Sequence, residues 1–121
     1  MWNYENLEVY HKAHGLIFVV YDLVKKFPAS EKYDLVPQVR RAVKSISANI
    51  VEGSGKRTSK DFVGYLYNAI GSAKEVREHL KVAVGLDYLG EDEAGVVVAE
   101  LRRIERMLVG YIEYVLGKDV K

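Results

Sequence analysis

Apolar residues recur at three- and four-residue steps along almost the whole of this chain, and very little interrupts them. Proline occurs only at Pro28 and Pro37, and three breaker clusters fall near residues 27–36, 53–55 and 87–90. Those breaks divide 121 residues into four helical pieces. No short alternating run bounded by turn residues asks to be a strand. A chain of this length buries one core, so residues 1–121 are expected to form a single domain. The expected fold class is all-α: an up-down-up-down antiparallel four-helix bundle with a short second helix.

The spacing predicts helix 1 from Glu5 to Lys26, with Asn3 or Asn6 as N-cap. Leu7, Tyr10, Ala13/His14, Ile17, Val20/Tyr21 and Val24 make its core face. Leu16, Phe18, Val19, Leu23 and Phe27 lie partly outside that face. They either pack under the loop and chain ends or form a subunit interface. Helix 2 follows from Pro37 to Glu52, about 16 residues or roughly 24 Å. Gly53-Ser54-Gly55 ends it by supplying a residue that can take positive φ. Thr58 or Ser59 caps helix 3, whose apolar stripe runs from Phe62 to Leu86. Gly64 and Gly71 lie inside it at about 1 kcal/mol each, which suggests close approach of another helix. Helix 4 runs from Glu91 to Leu116, Gly117 stops it, and the last four residues are expected to be loose.

Net charge is only +1, but it is unevenly spread. Residues 37–60 hold six Lys/Arg against Glu52 alone, a local +5. Residues 1–36 carry four bases against five acids, and residues 61–121 carry eight against eleven. The absence of cysteine removes disulfide and thiolate chemistry. The first residues lack the basic-then-apolar layout of a signal peptide, and no apolar run approaches a membrane span. A cytoplasmic protein without membrane contact is the expectation.

Catalytic motifs fail on spacing. Glu52-Gly53-Ser54-Gly55-Lys56-Arg57-Thr58 resembles a phosphate loop, yet Ile50 stands where a Walker A loop needs glycine. Arg57 stands where it needs Ser or Thr, and the segment leaves a helix instead of a strand. Gly-Ser-Gly is not a nucleophile elbow either. His11 and His14 lie one turn apart without an HExxH motif, and His14 reads as a core-edge residue. No enzyme, cofactor or metal site is expected.

Two lines on helix 2 remain. Arg41, Ser45, Asn49 and Glu52 form a polar seam beside the core, with Asn49 expected to bond Ser72 or Glu75 on helix 3. Arg40, Arg41, Lys44, Lys56, Arg57 and Lys60 form a cationic patch suited to phosphates. No aromatic residues are interleaved with these charges in the sequence, so base reading is not expected.

The run Gln38-Val39-Arg40-Arg41-Ala42-Val43-Lys44-Ser45-Ile46-Ser47-Ala48-Asn49-Ile50-Val51-Glu52-Gly53 resembles the signature of bacterial four-helix-bundle proteins encoded in 23S rRNA intervening sequences. Leu7-Glu8-Val9-Tyr10, Ala13, Phe27-Pro28, Arg57, Lys60-Asp61-Phe62, Tyr65-Leu66, Ala69, Gly71-Ser72 and Glu75 also fit. Ser47 departs from the family's usual proline, which should straighten helix 2, and Val51 departs from its usual alanine. The resemblance implies a ring-like homopentamer with no enzymatic activity. It is also similar to accessory proteins of diversity-generating retroelements, in which a basic pentamer binds nucleic acid and an enzyme. RNA or another nucleic acid, and a protein partner, are therefore the candidate partners. Leu16, Phe18, Val19, Leu23, Gly64 and Gly71 are the candidate oligomer interface.

Overall fold

Asn3 starts the first turn: its side chain accepts a hydrogen bond from the Glu5 N–H at 3.1 Å, winding Tyr4–Asn6 into a 3-10 turn. The computed structural model describes residues 2–119. Leu7 is extended, and α1 then runs Glu8–Val24, starting later than the periodicity suggests. A second 3-10 turn, Ala29–Glu31, leads into α2 at Leu35–Ser54. α3 spans Ser59–Gly85 and α4 spans Glu91–Asp119.

The second helix is not the shortest. α2 has 20 residues and α1 has 17, against 27 and 29 for α3 and α4. Pro37 sits within the first turn of α2, where backbone N–H groups lack helical partners anyway, so the helix can begin before it. The Leu35 N–H is taken instead by a Glu31 carboxylate oxygen at 3.3 Å. The other Glu31 oxygen accepts from the Tyr88 hydroxyl at 2.6 Å, which ties the α1–α2 connector to the α3–α4 turn. α2 runs unbroken through Ser47, as the departure from proline implies.

Gly53 does not end α2 through positive φ; no described glycine has positive φ. It lies buried in the last turn, and a Cβ there would stand 2.6 Å from Tyr65 Cβ and 2.9 Å from Phe62 Cδ1. Its function is close approach of α2 to α3. Gly64 and Gly71 show the reverse: a Cβ on either would meet nothing within 4 Å. Neither is a packing glycine within the protomer.

Thr58 caps α3 as expected, its hydroxyl accepting from the Asp61 N–H at 3.1 Å. The far end of α3 is a Schellman stop: the Tyr88 N–H reaches the Ala83 carbonyl at 2.8 Å and the Asp87 N–H reaches Val84 at 3.0 Å. Asp87 itself takes the left-handed conformation, with φ 63°. α4 passes through Gly117 and continues to Asp119, because one glycine costs a helix only about 1 kcal/mol. The rest of the expected loose tail lies outside the described residues.

Consecutive helices pack side by side, and α4 closes back on α1 along the thinnest seam of the four. Phe62, Leu66, Leu80, Ile46, Ile50, Leu101, Ile104 and Leu108 are fully buried at the centre. Burying each is worth about 1.5–3 kcal/mol. On α1 the buried set is Val9, Ala13, Leu16, Val20, Leu23 and Val24. Ile17, Tyr10 and Tyr21 flank it half-buried, while His14 is exposed. Leu16 and Leu23, expected at an interface, thus belong to the chain's own core. Phe18 and Val19 stay outside, 61% and 48% exposed. The Leu16–Tyr21 run is apolar throughout, so its periodicity has no unique phase and the neighbouring helices choose it.

α4 begins with a return bond from the Gly90 N–H to a Glu93 carboxylate oxygen at 2.9 Å, and Glu93 also pairs with Lys26 of α1. Lys26 first, and the Gly90 N–H second, hold the Glu93 carboxyl below the ordinary carboxylate range.

Two predictions follow from these contacts. Gly53→Ala should destabilise the protein by about 1–3 kcal/mol through overpacking, whereas Gly71→Ala should raise stability by up to about 1 kcal/mol; urea denaturation separates them. A carboxyl with a depressed folded pKa stabilises above its unfolded pKa and loses that contribution as pH falls through the folded value. The melting temperature of Glu93→Gln should therefore decline less between pH 6 and pH 3 than that of the unaltered protein.

Candidate nucleic-acid interface

The polar seam and the cations grow from the same helix, so the seam decides what the cations can do. Ser45 is its centre. The Ser45 and Ser72 hydroxyls share a hydrogen bond of 2.8 Å that joins α2 to α3. Asn49 donates to the Ser45 carbonyl at 2.8 Å and the Ser45 hydroxyl at 2.9 Å. Asn49 therefore reaches α3 only through Ser45, not by a direct bond to Ser72 or Glu75. Glu75 is committed elsewhere, to His79 one turn on at 3.1 Å.

The six cations separate into two groups. Arg40, Arg41 and Lys44 sit in the first half of α2, and Lys56, Arg57 and Lys60 at the α2–α3 corner. Lys44 lies ten residues, roughly 15 Å of helix, before the end of α2 at Ser54, and Lys56 follows in the turn beyond it. Arg41, Lys44, Ser45, Ala48, Asn49 and Glu52 line an open depression of about 480 Å³. Lys56, Lys60, Asp61, Gly64, Tyr65 and Asn68 line another of about 550 Å³. Each depression includes one carboxylate. Among the described residues none of the six cations forms an ion pair.

Two of the six are held by aromatic rings, which the sequence spacing did not reveal. The Arg40 guanidinium lies 5.1 Å from the centroid of Tyr21 on α1. Its Nε is buried without a partner, a cost of about 1–3 kcal/mol that the ring contact offsets in part. Lys56 lies 5.1 Å from the centroid of Tyr65 on α3. Arg41, Lys44, Arg57 and Lys60 are exposed and unpaired. Of the six, they are the ones left open to solvent.

Sequence reasoning missed a second basic region. Lys74, Arg77, Lys81 and Arg102 line a groove of about 380 Å³ between α3 and α4, over Leu80, Val84 and Val98. Arg77 is not free there: it grips Glu105 through two bonds of 2.6 and 2.9 Å across the helix pair. The histidines stay apart in function. His11 bonds the Glu5 carbonyl at 2.7 Å, His79 bonds Glu75, and His14 stacks on Tyr10 and meets Phe18 edge-on. Among the described residues no group of three or more His, Asp or Glu side chains is placed to hold a metal ion. No described helix is long and apolar enough to cross a membrane.

Comparison with known proteins agrees with this architecture. A family model described as 23S rRNA-intervening sequence protein matches residues 5–110. The crystal structure of a protein of unknown function from the S23 ribosomal protein family of Bacteroides thetaiotaomicron superposes with a TM-score of 0.79. The two share 23% identity over 86% of this chain and 97% of that one, a likeness of fold. No curated protein matches the chain.

Removing the Ser45 hydroxyl breaks the link to Ser72 and takes an acceptor from Asn49. Ser45→Ala should cost about 1–2 kcal/mol in urea denaturation. Glu75→Ala, on an exposed pair, should stay within about 0.5 kcal/mol.

Proposed function

The chain belongs to the 23S rRNA-intervening sequence protein family, and from that premise we propose that it is a non-enzymatic, self-assembling bundle that holds RNA phosphates. The contacts come from the exposed cations of α2 and the α2–α3 corner. One observation carries this: Arg41, Lys44, Arg57 and Lys60 are all exposed and, among the described residues, none is spent on an internal carboxylate. Lys12–Glu100, Lys26–Glu93 and Arg77–Glu105 pair across helices, while Lys74, Lys81, Arg102, Arg103 and Arg106 are exposed and, among the described residues, also form no ion pair; what sets this patch apart is that Glu52 alone accompanies six cations between residues 37 and 60. Family membership supports RNA as the polyanion.

Assembly is the second half of the proposal. The thin α1–α4 seam leaves Val19, Val96 and Tyr114 exposed at 48%, 73% and 54%. These apolar side chains are the material for a contact between copies. A ring of five, as the resemblance implies, repeats a weak cationic site and converts it to useful affinity through avidity. Gly64 and Gly71, open on the α3 surface, permit close approach of a second chain. A purely protein-binding module is the alternative; the α3–α4 groove, apolar at its floor and charged at its rim, favours it.

Binding of rRNA fragments across a salt series tests the reading. With about four phosphates neutralised per copy, log K should fall with log salt at a slope near −3, so a fourfold rise in salt weakens binding roughly fiftyfold. Arg41→Glu with Lys44→Glu, which removes two of the four contacts, should about halve that slope and weaken binding at every salt concentration. Absence of binding at low salt would overturn the nucleic-acid half. Light scattering at the 13.7 kDa mass of one chain would overturn the assembly half.

A further inference from the structure

Rings on α1 form a ladder that neither the core nor the cationic site accounts for. Tyr4 meets Tyr10 edge-on at 4.8 Å between centroids. Tyr10 stacks on His14 at 5.8 Å with a 26° interplanar angle. His14 in turn meets Phe18 edge-on at 5.4 Å. Tyr10, His14 and Phe18 recur at four-residue steps, so they climb one side of the helix over about 12 Å. His14 and Phe18 are exposed, and Phe18 is 61% so. An exposed ring on its own would be ordinary surface; a continuous run of rings in contact is a patch that a ligand can use.

What lies beside the ladder argues for the occupant. Tyr21, one turn beyond Phe18, carries the Arg40 guanidinium on its face. α1 and α2 are antiparallel neighbours that stay in step. Lys44, one turn on from Arg40, therefore comes level with Ile17 and Phe18, one turn back from Tyr21. The rings thus flank the α1 side of α2 at Arg40 and Lys44, and Arg41 lines the same open depression as Lys44 on the outer face of α2. In the sequence the two sets are about twenty residues apart; in the fold they adjoin. Ring faces beside a cationic track are what a single strand needs, because every base has a π-face and every phosphate a charge.

We propose that the His14–Phe18 ladder on α1 is a stacking platform for unpaired bases of a single-stranded nucleic acid whose phosphates follow Arg41 and Lys44. The inference rests on the phosphate-binding function above and narrows it: the ligand is a single strand with accessible bases, not a duplex. The platform has room for roughly two or three bases, the number that sheet-borne aromatics stack in RNA-recognition domains. Base identity is not selected, since no hydrogen-bonding edge is matched.

The test compares three labelled 12-mers by fluorescence anisotropy: oligo(A), an abasic ribose-phosphate strand, and an RNA duplex. Oligo(A) should bind at least about tenfold tighter than the abasic strand. Phe18→Ala should remove about that tenfold while leaving abasic binding and the salt slope unchanged. Phe18→Trp should keep or tighten oligo(A) binding. Both positions are exposed, and a melting curve checks that each variant folds. Equal binding of oligo(A) and the abasic strand would overturn the platform and leave phosphate binding intact. No binding of any strand at low salt would overturn both. A fall in particle mass for Phe18→Ala in light scattering would show that a second copy covers the ladder, and would overturn it too.

Discussion

The contact of α2 with α3 at Gly53 is the constraint on which the other surfaces depend. With no side chain at Gly53, the Tyr65 Cβ and the Phe62 ring come against the α2 backbone. That approach buries Phe62 completely and brings Ser45 within hydrogen-bond distance of Ser72 two turns away. It also gives the N-terminal segment its seat. The Trp2 N–H donates to the Ser54 carbonyl at 3.1 Å, and the indole lies 5.5 Å from Phe62. Adding one methyl at Gly53 would push on all of these together, since packed interiors do not absorb extra volume.

The same approach shapes the electrostatics. It folds the α2–α3 corner back so that Lys56 rests over Tyr65, while Arg40 at the other end of α2 is held by Tyr21. Each ring removes one cation from the surface and orients it. Four exposed cations remain, in two groups interrupted by Glu52 and Asp61. A polyanion held as proposed on a site so divided would be bound weakly by one copy and would gain most from repetition.

Similarity of fold at 23% identity has a plain physical origin. A bundle needs apolar residues at helical spacing, caps and turns, and many sequences satisfy those requirements. What they leave free is the surface. The patch was legible as six cations between Arg40 and Lys60. Their partners were not, because Tyr21 and Tyr65 belong to other helices and no local spacing announces them. The aromatic ladder itself stood in the sequence as Tyr10, His14 and Phe18, but its spacing equally suits a buried face.

The chain by itself determined how many helices form, where they are interrupted, the Thr58 cap and where cations concentrate. These depend on propensity, capping and periodicity, which act between residues a few positions apart. Tertiary structure alone decided which side of α1 faces inward, placing Leu16 and Leu23 in the core and Phe18 in water. It made Gly53 a packing contact where the helix stops at Ser54 without a positive-φ glycine, and it let α2 begin ahead of Pro37. It also set aromatic rings beside cations. Those outcomes depend on which surfaces meet across space. A helix that is apolar nearly all round offers several faces, and only its neighbours select one.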